Sequence, residues 1–221
     1  WLGLVGSEMC IRDRMISLVK YSNNLNKRSA ETLIALEALI LSEGFSSLSV
    51  SDIASKLKCS KRTLYELAPS KKSLVLRALD NFFSRIREQG NDVARNSVGP
   101  DRIVYEYLQI GEHASERLSQ SVVTDIDDWE PARTLWRNHI GLRVDGLYRI
   151  IDTGVKTGVF REVSPAFMAE VVFASINRIR EPDFNERTGL TISEAFHELY
   201  SMLIHSLMSD GAVSELPTIK G

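Results

Sequence analysis

From Asn26 to about residue 209, apolar residues recur every three or four positions, and no stretch alternates apolar and polar with period two. A period near 3.6 buries one stripe of a helix, whereas a half-buried strand needs a period of two, so the chain is expected to be all-α. The spacing predicts a helix over 29–43, with Leu33, Ile34, Leu36, Ile40 and Leu41 on its apolar side and Gly44 as its stop. Ser49, followed three residues later by Asp52, predicts a capping box for a helix whose inner face is Ile53, Ala54 and Leu57. Ser60 opens a helix over 61–67 that Pro69 ends, and Ser70 caps a long helix to about Asn96. After the break at Gly99-Pro100, helices are expected at about 101–118, 130–157, 164–180 and 191–209. Ser164-Pro165 opens the third of these, and a Thr191–Glu194 box opens the fourth. The segment Asp125–Glu130 reads as an acidic loop or short turn.

Composition narrows the class. A chain of 221 residues with 43% hydrophobic and 25% charged residues can bury a core and is neither disordered nor repetitive. No apolar run approaches the roughly 18 residues of a membrane span. Two cysteines, Cys10 and Cys59, make no disulfide framework and fit a reducing compartment, so a cytoplasmic protein is expected. Residues 1–26 read as a tail. The string Leu4–Arg14 resembles translated sequencing-adaptor DNA, which would make Met15 the native start; an unstructured natural tail is the alternative. The net charge of -2 hides an asymmetry. Residues 27–72 carry eight basic against five acidic side chains, and residues 73–221 carry sixteen against twenty-two. A small basic module (27–72) on an acidic helical body (73–221) implies an anionic partner for the module.

Residues 49–67 read as helix, tight turn, helix. Leu64 anchors the second helix inward, and Ala54 is small enough to let the two helices approach. Lys61, Arg62, Thr63 and Tyr65 are then left on the outer, N-terminal part of the second helix, the part of a helix-turn-helix that enters the major groove. Two cations at a helix N-terminus oppose the helix dipole, which is easier to explain if phosphates lie nearby. Arg62 can donate two hydrogen bonds to a guanine.

The combined pattern Gly44-Phe45, Ser49-Val50, Ile53-Ala54, Ser60, Thr63-Leu64-Tyr65, Ser70-Lys71 and Leu74 resembles the DNA-binding domain of the TetR family of bacterial transcriptional regulators. The resemblance implies that Lys61, Arg62 and Thr63 face an operator's major groove. It implies that Tyr65 and Lys71 touch its backbone, Lys71 aided by the dipole of the helix it opens. Ser49 and Ser51 could add phosphate contacts, although Ser49, Ser60 and Ser70 equally suit simple capping. The sequence departs from the family where Lys58 replaces a turn glycine, Leu67-Ala68 the usual His-Phe, and Cys59 a small apolar residue. Lys58 is expected in a left-handed, mildly strained conformation, and Cys59 as a packed thiol rather than a redox switch.

In such proteins the body holds a small effector and forms a homodimer. Tyr105, Trp129, Trp136, His139 and Tyr148 could line a cavity for a largely apolar molecule, or could be ordinary core. The last two long helices are apolar on more than one side, so Val172, Phe196, Leu199 and Leu203 are candidates for the dimer seam. The four histidines have no metal spacing, and no phosphate loop or nucleophile motif is present, so no catalytic, metal or cofactor site is expected. The sequence therefore reads as an all-α regulator, most simply a repressor. A palindromic double-stranded DNA operator and an effector would be its partners, with no membrane. A helical interaction protein without DNA binding, or an enzyme of unrecognised class, is the alternative.

Overall fold

The computed structural model describes residues 26–208, and among them every regular element is a helix. The adaptor-like string and the start at Met15 lie outside the described residues. Helix α1 (Lys27–Glu43) is capped by Asn26, whose side chain accepts from the Ser29 N–H, and ends at Gly44 with φ 79°. Helix α2 (Val50–Lys56) carries the expected Ser49–Asp52 capping box, and α3 (Lys61–Leu67) the Ser60 cap. Helix α4 (Lys71–Asn96) starts at Ser70 and has the expected length. The body adds α5 (Pro100–Ser115), α6 (Gln120–Asp128), α7 (Glu130–Lys156), α8 (Pro165–Ile179), α9 (Pro182–Thr188) and α10 (Ile192–Leu207).

Two helices correct the sequence reading. The acidic segment from Asp125 is not a loop: it is the second half of α6, which Ser119 caps and which buries Val122, Val123 and Ile126. Its acids are anchored rather than solvated. The Asp125 carboxylate accepts the backbone N–H of Phe45 (2.5 Å) and of Ser46 (2.8 Å), just beyond α1. Asp127 pairs with the buried Arg180 at 2.7 Å. Helix α9 was not foreseen: it is only seven residues long, too short for its period to show, and it is closed by Gly189 with φ 72°.

One hydrophobic core runs through the molecule. Helices α1, α2 and α3 close around Leu36, Ile40, Ile53 and Leu64. Helix α4 contributes Leu74 and Leu79 to this head and Phe82, Phe83 and Ile86 to the body, where it packs on α5 and α7. Helices α8 and α10 complete the body against α7 and α5. Head and body also share a polar clamp. Glu37, on the inner face of α1, is buried and accepts from Arg85 (2.5 Å) and Asn81 (2.8 Å) of α4, and from Arg117 (2.8 Å) just past α5.

Between α2 and α3 the backbone turns at Lys58, with φ 50°, as the missing turn glycine implies. Cys59 beside it packs half-buried against the core, and burial pushes its thiol up, with Arg28 opposing, which is the setting of a packed rather than an activated thiol. Replacing the exposed Lys58 with Gly removes the left-handed penalty at the cost of some unfolded-chain entropy. Lys58→Gly is expected to raise unfolding stability in urea by about 0.5–1 kcal/mol with an unchanged m-value.

Candidate DNA interface and effector cavity

The outward face of α3 presents Lys61, Arg62, Tyr65 and Glu66, with Tyr65 49% exposed rather than packed in the core. Thr63 corrects the expectation. It is only 8% exposed, and its hydroxyl lies 2.9 Å from that of Ser60, so it ties the cap to the helix instead of facing a groove. The cause is angular: Thr63 lies one residue from Leu64, on the buried side, whereas Lys61, Arg62 and Tyr65 share the opposite side. Arg62 stands free in solvent apart from a 3.4 Å contact between its Nε and Glu66 Oε1. An exposed pair of this kind is worth about 0–1 kcal/mol, so the guanidinium can be drawn to a base or phosphate at little cost.

Of the remaining sequence-predicted groups, Lys71 lies close enough to the start of α2 for its charge to act on Asp52. Lys71 Nζ donates to the Ser46 carbonyl at 3.1 Å, which fixes its direction while leaving two ammonium protons for a phosphate. Ser49 accepts from the Asp52 N–H and so acts as a cap, and Ser51 is exposed. Hydrogen bonds from Ser49 hold the Asp52 carboxyl below its usual range, so this acid stays ionised beside them.

A second site lies inside the body. A narrow cavity of about 50 Å³, which a ligand would have to widen, sits between α4, α5, α7, α8 and α10. Trp136 and His139 line it as expected, but Tyr105 and Tyr148 do not. Tyr107, two residues on from Tyr105 and so about 200° round the helix, takes the inward place. Tyr105 instead accepts from Gln109 at 2.9 Å, Tyr148 faces solvent, and Trp129 packs edge-on against Phe45 of the head. Arg143 also lines the cavity and is buried. His139 stacks on Phe83 with ring centroids 4.7 Å apart. Burial, helped by the charges of Arg143 and Arg87, holds its imidazole well below the usual histidine range.

The dimer candidates also need correcting. Val172 and Phe196 line the cavity, Leu203 is buried within the chain, and Leu199 is half-buried. The apolar side chains that α8 and α10 turn outward are Phe167, Val171 and Met202, the last 70% exposed. A helix apolar on two sides leaves room for a second partner, but its sequence does not say which side would meet it.

Residues 33–78, from within α1 to the head half of α4, match the model for bacterial regulatory proteins of the tetR family. Over this segment the chain is similar to the DNA-binding domain of TetR-family transcriptional regulators. Over 178 residues it is 21% identical to the uncharacterised HTH-type transcriptional regulator YvaF of Bacillus subtilis strain 168, covering 78% of this chain and 91% of the relative. A transcriptional regulator of Saccharomonospora viridis, solved in complex with choline, shares the fold at a TM-score of 0.65. That match has 19% identity and covers 82% of this chain and 97% of the other. AibR, solved in complex with isovaleryl coenzyme A and operator DNA, matches at a TM-score of 0.56 and 18% identity, covering 82% and 100%. Among the described residues no helix is long and apolar enough to cross a membrane.

Two outcomes are expected. Arg62→Ala weakens binding to the preferred operator by about 1–3 kcal/mol more than to random DNA, whereas Lys71→Ala weakens both alike and flattens the salt dependence; titrations at several salt concentrations separate the two. The depressed His139 makes stability pH-dependent in a definite direction. Below about pH 6.5 the unfolded chain takes up a proton that the folded histidine refuses, so stability falls with acidification by up to about 1.4 kcal/mol per pH unit. Urea unfolding of His139→Phe between pH 7 and 5 should show a shallower fall than wild type, whatever its stability at neutral pH.

Proposed function

We propose that the regulator is a homodimeric repressor that binds a palindromic operator through α3 and is released when a small molecule occupies the body cavity. The observation that carries this reading is the path from cavity wall to head. Phe82 and Leu118 line the cavity. Arg117, next to Leu118, stacks over the Phe82 ring at 5.0 Å and donates to Glu37 of α1 at 2.8 Å. A molecule that parts α4 from α5 therefore pulls on the buried carboxylate that orients the head. AibR, with its acyl coenzyme A and operator, supports the pairing of an effector with DNA on this fold.

The groups set out for DNA are Lys61, Arg62 and Tyr65 on α3, with Lys71, Ser49 and Ser51 as backbone contacts. Two heads must sit about 34–36 Å apart to meet successive major grooves on one face of DNA. Helices α8 and α10 supply the seam through Phe167, Val171 and Met202, which would close a four-helix interface with a second copy. A ligand that favours misplaced heads weakens operator binding, and the operator weakens the ligand by the same factor.

Sequencing genomic fragments retained by the purified protein tests this. Inverted repeats whose half-site centres lie about one helical turn apart, or a multiple of it, are expected; single asymmetric half-sites would refute the dimeric reading. Met202→Glu, at a position exposed in the single chain, should give folded monomers by light scattering with much weakened operator binding.

A further inference from the structure

The chemistry of the cavity wall is one-sided. Its polar groups are Arg143, His139, Trp136, Ser115 and two tyrosines, and no carboxylate lines it. Arg143 is 8% exposed. Its guanidinium lies over the Tyr107 ring at 4.0 Å, and Nη2 donates to the Tyr107 carbonyl at 2.8 Å, while Nη1 has no acceptor among the described residues. Nearby acids are engaged or turned away. Glu112 is bonded to His197 at 2.8 Å, and Asp145 is exposed on the outer side of α7. Gly90 and Gly111 make room for this cation: a Cβ at either would stand 3.0 or 3.1 Å from its terminal nitrogens.

The other groups point to the same ligand chemistry. His139 Nδ1 lies 3.3 Å from Arg87 Nη1, a donor, so Nδ1 accepts and the ring proton resides on Nε2. Trp136 Nε1 is buried without an acceptor. Burial pushes the Tyr200 hydroxyl up, which keeps it a donor. A buried cation with no counter-ion, surrounded by unused donors, is an expensive arrangement unless an anion joins it.

We propose that the cavity selects an organic anion, a monocarboxylate with an apolar tail, whose carboxylate is seated on Arg143. The inference rests on the effector-cavity reading above and names its ligand class. The tail would run along Phe82, Ile140, Leu147 and Ile176, which form the apolar wall. A quaternary ammonium such as the choline bound by the Saccharomonospora viridis neighbour would meet Arg143 as a like charge.

Melting curves and calorimetry on the full chain without DNA test this, with hexanoate, octanoate and decanoate set against octanol and octyltrimethylammonium. A carboxylate is expected to bind at least about tenfold tighter than the alcohol of equal length, as one charge-assisted hydrogen bond implies. Arg143→Met should erase that preference without lowering the melting temperature of the free protein, since it removes an uncompensated charge. Should that variant fail to fold, Arg143→Lys serves: it should keep the preference for the anion at reduced affinity. Equal binding of octanol or octyltrimethylammonium, or no carboxylate shifting the melting curve, would overturn the inference. The same compounds added to the operator complex separate it from the switch reading. Release by octanol or by the ammonium would leave the switch standing and remove the anion site. Arg143-dependent binding of octanoate that leaves operator affinity unchanged would keep the anion site and remove the switch.

Discussion

One buried carboxylate forms the central polar tie between the head and the body. Glu37 sits on the inner side of α1, where water cannot solvate it, and its charge is met by Arg85 and Asn81 of α4 and by Arg117 just past α5. A carboxylate in such a place is tolerated only while its hydrogen bonds are complete, so its partners cannot drift independently. The two arginines are partly solvated, which lets the clamp rearrange without stranding a cation. Asp125 adds a second tie by holding the two N–H groups that follow Gly44, and the Ser119 N–H adds a third by donating to the Leu41 carbonyl at 3.0 Å. The end of α1 is thus tied to both the start and the middle of α6.

Local chemistry was the most legible part of the sequence. The caps at Ser49, Ser60, Ser70 and Thr191, the stop at Gly44 and the left-handed Lys58 depend on a few neighbouring residues, and all form as the sequence implies. Angle around a helix was less legible. Thr63, Tyr105 and Tyr148 were placed on the wrong side because a one- or two-residue step turns a side chain by 100° or 200°, and only the packed neighbours fix the zero of that rotation. Helix α6 was missed because three acids hid the spacing of Val122, Val123 and Ile126. Glu37 carried a signal that could have been read: a lone acid between Leu36 and Ile40 on an apolar stripe must have partners elsewhere.

Charge shows a similar contrast of scale. Residues 73–221 are acidic in sum, yet the cavity they enclose is lined by one cation, Arg143, and neutral donors, and by no carboxylate. Net charge governs how the body meets other macromolecules at long range, while a buried guanidinium sets the local charge inside it. The basic head and the cationic cavity are therefore separate electrostatic features, one read from the sum of residues and the other from a single position.

Helix α4 is continuous over 26 residues, which makes it about 39 Å long at 1.5 Å per residue. Its first third is locked into the head by Leu74 and Leu79, its middle into the body by Phe82 and Phe83, and no proline interrupts it. A rod held in this way transmits rotation rather than bending. A tilt of about 5° around its midpoint moves an end by about 1.7 Å, comparable with the misfit that costs a base-edge hydrogen bond its geometry. The fold thus has a mechanical gain set by chain length alone: the same disturbance at Phe82 would move the head less if the rod were shorter, with every side chain in the cavity unchanged.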